Sequence, residues 1–299
     1  MKSFLSGIAL IVCLIGLPIL SGAQNNQDSI KYRIETVDGN EYVGKITERS
    51  ADKIRIKTEK LGEISILNAD VKKITEISAV IKKDGSYWFE NPQSTRYFWV
   101  PNGYSLKKGE GYYQNVWILG NQAIYGFTNH LSGGIGMLPL FLFAGAPTPT
   151  WVTLKYSVPI VKDKFNVGAG ALAGTVIGEP NSNFGILYGV TTYGSRDKNL
   201  SIGVGWAFAA GEIAKKPTIN VSGMIRTGPK GYFLTENYFI GTVDNFVVIM
   251  SVGGRRIIKN TGLDFGLFVP MGADIGSFVA IPWLGFTVPF GTKNQVPVK

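Results

Sequence analysis

The segment that decides the fold class is Leu200-Ser201-Ile202-Gly203-Val204-Gly205-Trp206-Ala207-Phe208-Ala209. Its large apolar side chains occupy every second position, and only Ser, Gly or Ala stands between them. Because successive side chains of a strand point to opposite faces, the segment predicts a β-strand with one apolar face and one nearly bare face. A soluble β-sandwich would show the same alternation, so other features of the chain must decide between a sandwich and a membrane β-barrel.

The same alternation continues over most of residues 95–290. The 299-residue chain contains 38 glycines and 12% aromatic residues, a composition that favours many strands and turns over helices. We predict twelve strands, at about residues 95–104, 110–127, 130–143, 150–161, 165–177, 184–194, 199–210, 217–227, 231–241, 245–257, 261–269 and 280–290. The prolines at 101, 139 and 282 weaken three of these strands, so counts of ten or fourteen stay open.

The connections between these strands alternate in length. Tight polar turns are predicted at 128–130, 162–164, 195–198, 228–230 and 259–260. Longer connections are predicted at 105–109, 144–149, 178–183, 211–216, 242–244 and 271–279. Outer-membrane barrels have an even number of antiparallel strands, short periplasmic turns and longer external loops. The chain is therefore predicted to be all-β, with a transmembrane antiparallel barrel of about 12 strands whose two ends lie on the periplasmic side.

Residues 1–23 have the pattern of a secretory signal peptide. Lys2 supplies the positive start, Ile8 to Leu20 the apolar core, and Ser21-Gly22-Ala23 a cleavage site of small residues. Cys13 is the chain's one cysteine, so a mature chain that begins near Gln24 contains neither disulfides nor thiol ligands. The predicted location is the bacterial outer membrane, with outer-membrane lipid and the barrel assembly machinery as partners.

Residues 28–80 differ in character from the rest, because they are rich in charge and consist of short alternating runs. Five strands are predicted, at about 30–37, 41–46, 53–58, 63–66 and 71–77, with a hairpin turn at Asp38-Gly39. This order of strands and turns resembles that of Sm-like and SH3-like modules. The Asn and the Arg-Gly pair with which Sm-like relatives bind RNA are not in place, so no nucleic-acid partner is predicted despite the net charge of +9. We expect a small periplasmic β-barrel at 28–80, a linker at 81–94, the membrane barrel at 95–291 and a tail at 292–299.

Two further segments resemble uncharacterised outer-membrane β-barrel proteins of the Bacteroidetes type. They are LKKGEGYYQN at 106–115 and GFTNHLSGG at 126–134. The resemblance implies a location and an architecture, and it supplies no catalytic residues. One departure is that Phe290, which is expected to end the last strand, is followed by nine further residues.

Few residues are suited to chemistry. His130 is the one histidine and lies in a predicted turn, so we predict no catalytic, cofactor-binding or metal-binding site. The remaining candidates are charged residues expected to line the lumen: the cations Lys155, Arg226 and Arg255, and the acids Glu236 and Asp264. Charges inside a barrel either line a pore and select ions or pair and plug it.

Two functions follow from these charges. The first is a narrow diffusion pore that mildly favours small anionic solutes. The second is a plugged, non-enzymatic barrel that anchors the small periplasmic domain and presents it to a periplasmic protein. An outer-membrane enzyme is the third and weakest hypothesis, because no histidine-centred site can be placed.

Overall fold

The computed structural model describes residues 29–58, 61–81, 87–89, 91–241, 246–258, 260–272 and 279–291. The predicted signal peptide and the C-terminal tail lie outside these residues. Apart from one 3-10 turn and one short α-helix, the elements are strands, so the all-β prediction is confirmed. No helix in the described part of the chain has the length and apolar character needed to cross a membrane.

The N-terminal strands form one antiparallel sheet in the order β4-β3-β2-β1-β5-β6. The five predicted strands are present, and a sixth of three residues follows them. Their bounds are β1 Ser29–Thr36, β2 Glu41–Arg49, β3 Lys53–Thr58, β4 Gly62–Leu67, β5 Val71–Ile81 and β6 Tyr87–Phe89, with a 3-10 turn at Asn68–Asp70 before β5. The core of the sheet is a cluster of five buried isoleucines, at 34, 54, 56, 66 and 74. Burying an isoleucine contributes roughly 1.5–3 kcal/mol, so this cluster is the main apolar stabilisation of the sheet.

The hairpin between β1 and β2 turns at the predicted Asp38-Gly39. Gly39 has a φ of +88°, a conformation that glycine adopts at little cost. The amide Nδ2 of Asn40 donates to Oδ2 of Asp38 at 2.6 Å. Hydrogen bonds from the Thr36 hydroxyl and from Asn40 hold the pKa of the Asp38 carboxyl below its ordinary value. The turn therefore carries an ionised aspartate at neutral pH.

Twelve strands form the closed barrel. All neighbours are antiparallel, and the pairings β7–β19 and β12–β13 close the circle, so the predicted strand count is confirmed. The strands are β7 Glu110–Val116, β8 Gly120–Gly126, β9 Leu131–Met137, β10 Thr148–Val161, β11 Phe165–Ile177, β12 Phe184–Gly194, β13 Lys198–Ala209, β15 Thr218–Arg226, β16 Gly231–Gly241, β17 Phe246–Ile258, β18 Thr261–Met271 and β19 Ile281–Gly291. A short helix at Pro139–Phe143 and the two-residue strand β14, Glu212–Ile213, lie in loops.

The outer face of the wall is apolar. On β13, Leu200, Ile202 and Trp206 are 40%, 50% and 47% exposed, whereas Ser201 is 1% exposed and faces the lumen. The other strands continue this outer belt, for example with Leu187 on β12 and Phe265 on β18. Because the closed barrel pairs the backbone of every wall strand, it meets the requirement that a water-free bilayer sets. The two faces predicted for residues 200–209 are thus confirmed.

The predicted strand at 95–104 is wrong. The predicted number of twelve wall strands is still correct, because another predicted strand is in fact two. Residues 95–104 form no wall strand, while the segment predicted as one strand at 110–127 is two strands, β7 and β8. They are joined by a tight turn in which Trp117 and Ile118 have φ values of 52° and 67°. The Asn115 side chain supports this turn, since its Nδ2 donates to the Ile118 carbonyl at 3.1 Å and its Oδ1 accepts from the Ile118 amide at 3.2 Å. Without a glycine at the turn, the sequence carried no signal for it.

Candidate functional site in the barrel lumen

Residues 91–106 lie inside the barrel, and we call this segment the plug. Arg96, Tyr97, Phe98 and Asn102 are fully buried. The plug folds back on itself, because the Tyr97 amide donates to the Val100 carbonyl and the Asn102 amide to the Thr95 carbonyl, each at 3.0 Å. The chain that was expected to complete the wall therefore fills the space that the wall encloses.

One buried carboxylate lies between two guanidinium groups inside the barrel. Asp264 on β18 is the direct cross-strand partner of Arg255 on β17. Its Oδ1 lies 2.5 Å from Nε of Arg255, and its Oδ2 lies 2.9 Å from Nη1 of Arg96 in the plug. Arg255 also donates to the plug carbonyls of Gln93 and Tyr97, at 2.9 and 2.5 Å. The cluster thus joins plug to wall and carries one excess positive charge.

Glu236 holds the tip of the plug. Its Oε2 accepts from the backbone amides of Trp99 and Val100, at 2.9 and 3.0 Å, and its Oε1 accepts from the Tyr238 hydroxyl at 2.5 Å. Charge-assisted hydrogen bonds of this kind are about twice as strong as neutral ones. The carboxylate therefore satisfies two plug donors that have no partner in a strand.

Lys155 holds the opposite flank of the plug. Its Nζ donates to the carbonyls of Asn102 and Tyr104, at 3.0 and 2.7 Å. The side chain is buried, and within the described ranges it forms no salt bridge. Lys155 is thus a cation inside the barrel that is solvated by carbonyl dipoles.

Arg226 lies at the tight-turn end of the lumen, away from the plug's tip. Its Nη1 is 2.9 Å from Oδ2 of Asp197, and its guanidinium also donates to the carbonyls of Gly228 and Pro229. The guanidinium carbon lies 4.9 Å from the centre of the Trp88 ring. Lys155, Glu236, Arg255 and Asp264 are therefore buried and bond the plug or each other, whereas Arg226 bonds Asp197 and the turn at 228–229. That these residues line an open lumen stays a prediction.

Several plug contacts come from residues that sequence reasoning did not select. The Tyr97 hydroxyl donates to Oδ1 of Asn199 and bonds the Ser201 hydroxyl, both at 2.6 Å. Nη1 of Arg196 donates to the Ser94 hydroxyl at 2.6 Å. These partners are small or turn-located polar residues that no motif distinguishes. Their signal was the polarity of the bare strand faces, which matches a polar plug as well as a water-filled pore.

A cavity of about 220 Å³ remains between the plug and the wall. Its lining includes Trp99 and Val100 from the plug and Leu172, Ile186 and Lys155 from the wall. We call it the lumen chamber. The plug thus occupies part of the lumen and leaves a partly open cavity beside it.

His130 lies in the turn between β8 and β9, where its Nδ1 is 3.0 Å from the Ser157 carbonyl oxygen. Among the described residues, no group of three or more histidine, cysteine or acidic side chains could hold a metal ion. His130 thus contacts the backbone of the neighbouring strand β10 from its position in the turn.

The fold and the site define a class: a closed twelve-stranded transmembrane β-barrel with an internal plug. No family model matches the chain, and no curated protein matches it, so the resemblances to Bacteroidetes-type barrels and to Sm-like modules stay predictions. Among solved structures, the chain is similar to OpdQ of Pseudomonas aeruginosa, at 10% identity and a TM-score of 0.36, covering 88% of this chain and 95% of that one. It is also similar to the monoaromatic hydrocarbon channel CymD, at 8% identity and a TM-score of 0.34, covering 88% and 87%. A third similar structure is OmpT of Vibrio cholerae, at 10% identity and a TM-score of 0.34, covering 87% and 95%.

Proposed function

We propose that this chain is a non-enzymatic outer-membrane barrel, sealed by its own plug, that anchors the N-terminal sheet on the periplasmic side. The observation that carries the proposal is the bonding of the plug to opposite sides of the wall. Arg255 and Asp264 hold one side, Lys155 holds another, and Glu236 holds the tip. Each bond is buried, so displacing the plug would leave charged groups in the lumen without their partners.

The chain enters the lumen from the end that carries the tight turns. Nδ2 of Asn91, the first plug residue, donates to the Arg196 carbonyl in the turn before β13, at 3.2 Å. In the N-terminal sheet, Nη1 of Arg33 donates to Oδ1 of Asn260, which lies in the turn between β17 and β18, at 3.4 Å. Short turns are the periplasmic side of outer-membrane barrels. These contacts support a periplasmic N-terminal sheet, held where it can meet another periplasmic protein.

Insertion by the barrel assembly machinery is part of the proposal. The last strand, β19, pairs with β7 and carries Leu284, Phe286, Val288 and Phe290 on its lipid-facing side. An apolar outer face on the closing strand fits recognition and insertion at the membrane. Residues 292–299 would then follow the recognised strand.

A diffusion pore is the second candidate, and the polar wall beneath the plug favours it. Thr192, Ser201, Ser222 and Thr287 are buried and face the lumen, as the wall of a water-filled channel would. A pore requires the plug to leave. Because Asp264 pairs with Arg255 and Asp197 with Arg226, and Arg96 would leave with the plug, a preference for anions would then depend on Lys155.

Single-channel recording separates the two functions. We expect no steady conductance from the folded, inserted wild-type protein. A variant whose residues 91–106 are replaced by a Gly/Ser segment of equal length is expected to conduct. The matched control replaces the exposed loop residues 178–183 in the same way and should stay closed. Steady conductance of the wild-type protein equal to that of the plug-free variant would overturn the sealed-barrel proposal in favour of the pore.

Protease access tests the proposed orientation. The N-terminal sheet should resist external protease in intact cells and be cut only after the outer membrane is permeabilised. Cleavage in the loop at 178–183 of intact cells serves as the control for an external site. Cutting of the N-terminal sheet in intact cells would contradict a periplasmic position.

A further inference from the structure

Most of the exposed surface of the lumen chamber is apolar, which is unusual for the inside of a barrel, where polar surfaces are the rule. Leu172 on β11 and Ile186 on β12 are direct cross-strand partners, and both line it. Val190 and the plug residue Trp99 add to the same surface. Neither the plug nor the wall fills this space, so the chamber presents an apolar surface suited to a small apolar group.

Two of the polar residues in this lining, Lys155 and Tyr188, occupy one row of the wall. Lys155, Gly170 and Tyr188 are cross-strand partners along β10, β11 and β12. A Cβ atom added to Gly170 would lie 2.5 Å from the Tyr188 hydroxyl oxygen, so that hydroxyl lies over Gly170, displaced from its own strand in the direction of Lys155. The glycine therefore makes room for the tyrosine tip beside the lysine.

Both polar groups have unused bonding capacity. The Tyr188 hydroxyl is buried and has no hydrogen-bond partner among the described residues, although buried polar groups are nearly always bonded. The Lys155 ammonium has three donors, of which two bond the plug carbonyls, and no described carboxylate pairs with it. A donor hydroxyl and an unpaired cation in one row form a site for an anionic acceptor.

We propose that the lumen chamber binds a small monocyclic carboxylate. Its ring would occupy the apolar part beside Leu172 and Ile186, and its carboxylate would pair with Lys155 and accept the Tyr188 hydroxyl proton in a hydrogen bond. An apolar cavity of roughly 150 Å³ is enough for a benzene ring. The chamber, at about 220 Å³, has room for a ring and a carboxylate. This proposal rests on the sealed form of the barrel, because the plug residues Trp99 and Val100 form part of the chamber's lining.

Benzoate is the probe, and titration calorimetry of the full-length protein in detergent is the measurement. Two matched compounds separate the parts of the site: benzamide keeps the ring without the charge, and acetate keeps the charge without the ring. We expect benzoate to bind at least about tenfold more tightly than either, since a charge-assisted bond and ring burial each contribute on that scale. Equal binding of benzoate and benzamide would overturn the assignment of Lys155 as the carboxylate's partner.

Three variants locate the binding. Lys155→Met should weaken benzoate binding about tenfold or more and leave benzamide unchanged. Tyr188→Phe should weaken benzoate by a smaller factor, about fivefold. Lys198→Met, an exposed lysine on β13 remote from the chamber lining, is the matched control and should bind like wild type. Benzoate binding that Lys155→Met leaves intact would contradict the proposal.

A fourth variant is needed because Lys155→Met also removes the hydrogen bonds from Lys155 to the plug. Gly203 lines the chamber from β13, and a Cβ atom added there would meet its nearest neighbour at an ordinary 3.5 Å. Gly203→Leu should therefore fill the chamber without touching Lys155 or its plug carbonyls, and should abolish benzoate binding while the barrel stays folded. Unchanged benzoate binding by this variant would show that the ligand lies elsewhere and would overturn the proposal.

Discussion

Arg96 and Asp264 are 168 residues apart in the chain, yet Nη1 of Arg96 lies 2.9 Å from Oδ2 of Asp264 and both side chains are 1% exposed. Arg255 shares the same carboxylate. This buried cluster fixes a loop of chain inside the barrel that could otherwise leave it. It converts a polar lumen, which alone would suit a water-filled pore, into an interface between two parts of one protein.

The first prediction concerns the shared carboxylate. Asp264→Asn removes the charge that Arg96 and Arg255 share and leaves two buried guanidinium groups without compensation. Breaking a buried ion pair in this way costs about 3–5 kcal/mol. We expect a lower midpoint of urea unfolding, measured by loss of the folded band in unheated gel electrophoresis. Asp197→Asn is the control, since its side chain is 39% exposed and water can replace part of its pairing with Arg226, so a smaller loss is expected. Equal midpoints for the two variants would show that the cluster does not hold the fold.

The second prediction concerns the tip of the plug. Glu236→Ala leaves the amides of Trp99 and Val100 without acceptors, which costs about 1–3 kcal/mol for each buried donor. The tip should then detach part of the time, and single-channel recordings should show brief openings that the wild type lacks. Glu179→Ala, in an exposed loop, should record as wild type. If a folded Glu236→Ala protein shows no channel openings, the tip of the plug stays bound without the Glu236 carboxylate, and the prediction is wrong.

The third prediction concerns the close approach of the plug to the wall at Gly103. A Cβ atom there would lie 2.8 Å from the Asn166 carbonyl oxygen and 3.0 Å from the Thr192 hydroxyl oxygen. Gly103→Ala must therefore push the plug away from β11 and β12, at a cost of about 1–3 kcal/mol, the usual range for overpacking. Gly228→Ala is the matched control, because nothing lies within 4 Å of its added Cβ atom. The two unfolding midpoints should differ, and equal values would show that the plug adapts without strain.

The wall could be predicted from the sequence because lipid imposes a period of two on each strand. In β13 that period places Ile202 outside and Ser201 inside. The five charged candidates were selected by the same rule, and four of them, Lys155, Glu236, Arg255 and Asp264, are buried. The strand order also followed from the chain, because each wall strand from β7 to β13 pairs with the next one.

The plug could not be predicted, because a period of two says nothing about a segment outside the wall. Residues 97–99 are three consecutive aromatics, Tyr-Phe-Trp, which do not alternate with polar residues, and Pro101 interrupts the same segment. Both features argued against a strand, but neither indicated where the segment lies. The wall partners of Arg96, Asp264 and Thr287, are distant from it in sequence, so only the closed barrel brings them together.

The fourth prediction returns to the bare face of β13. Ser201 is 1% exposed and bonds the hydroxyls of Tyr97 and Thr192, each at 2.6 Å. Ser201→Val removes the hydroxyl, so the plug hydroxyl of Tyr97 loses one hydrogen-bond partner. It also enlarges the side chain, which presses a methyl group against the plug. We expect a loss of about 1–3 kcal/mol in the free energy of unfolding. Ile202→Val, one residue along the strand and 50% exposed to lipid, should cost less than about 1 kcal/mol. If the two substitutions cost the same, the bare face would be open to water in solution rather than packed against the plug.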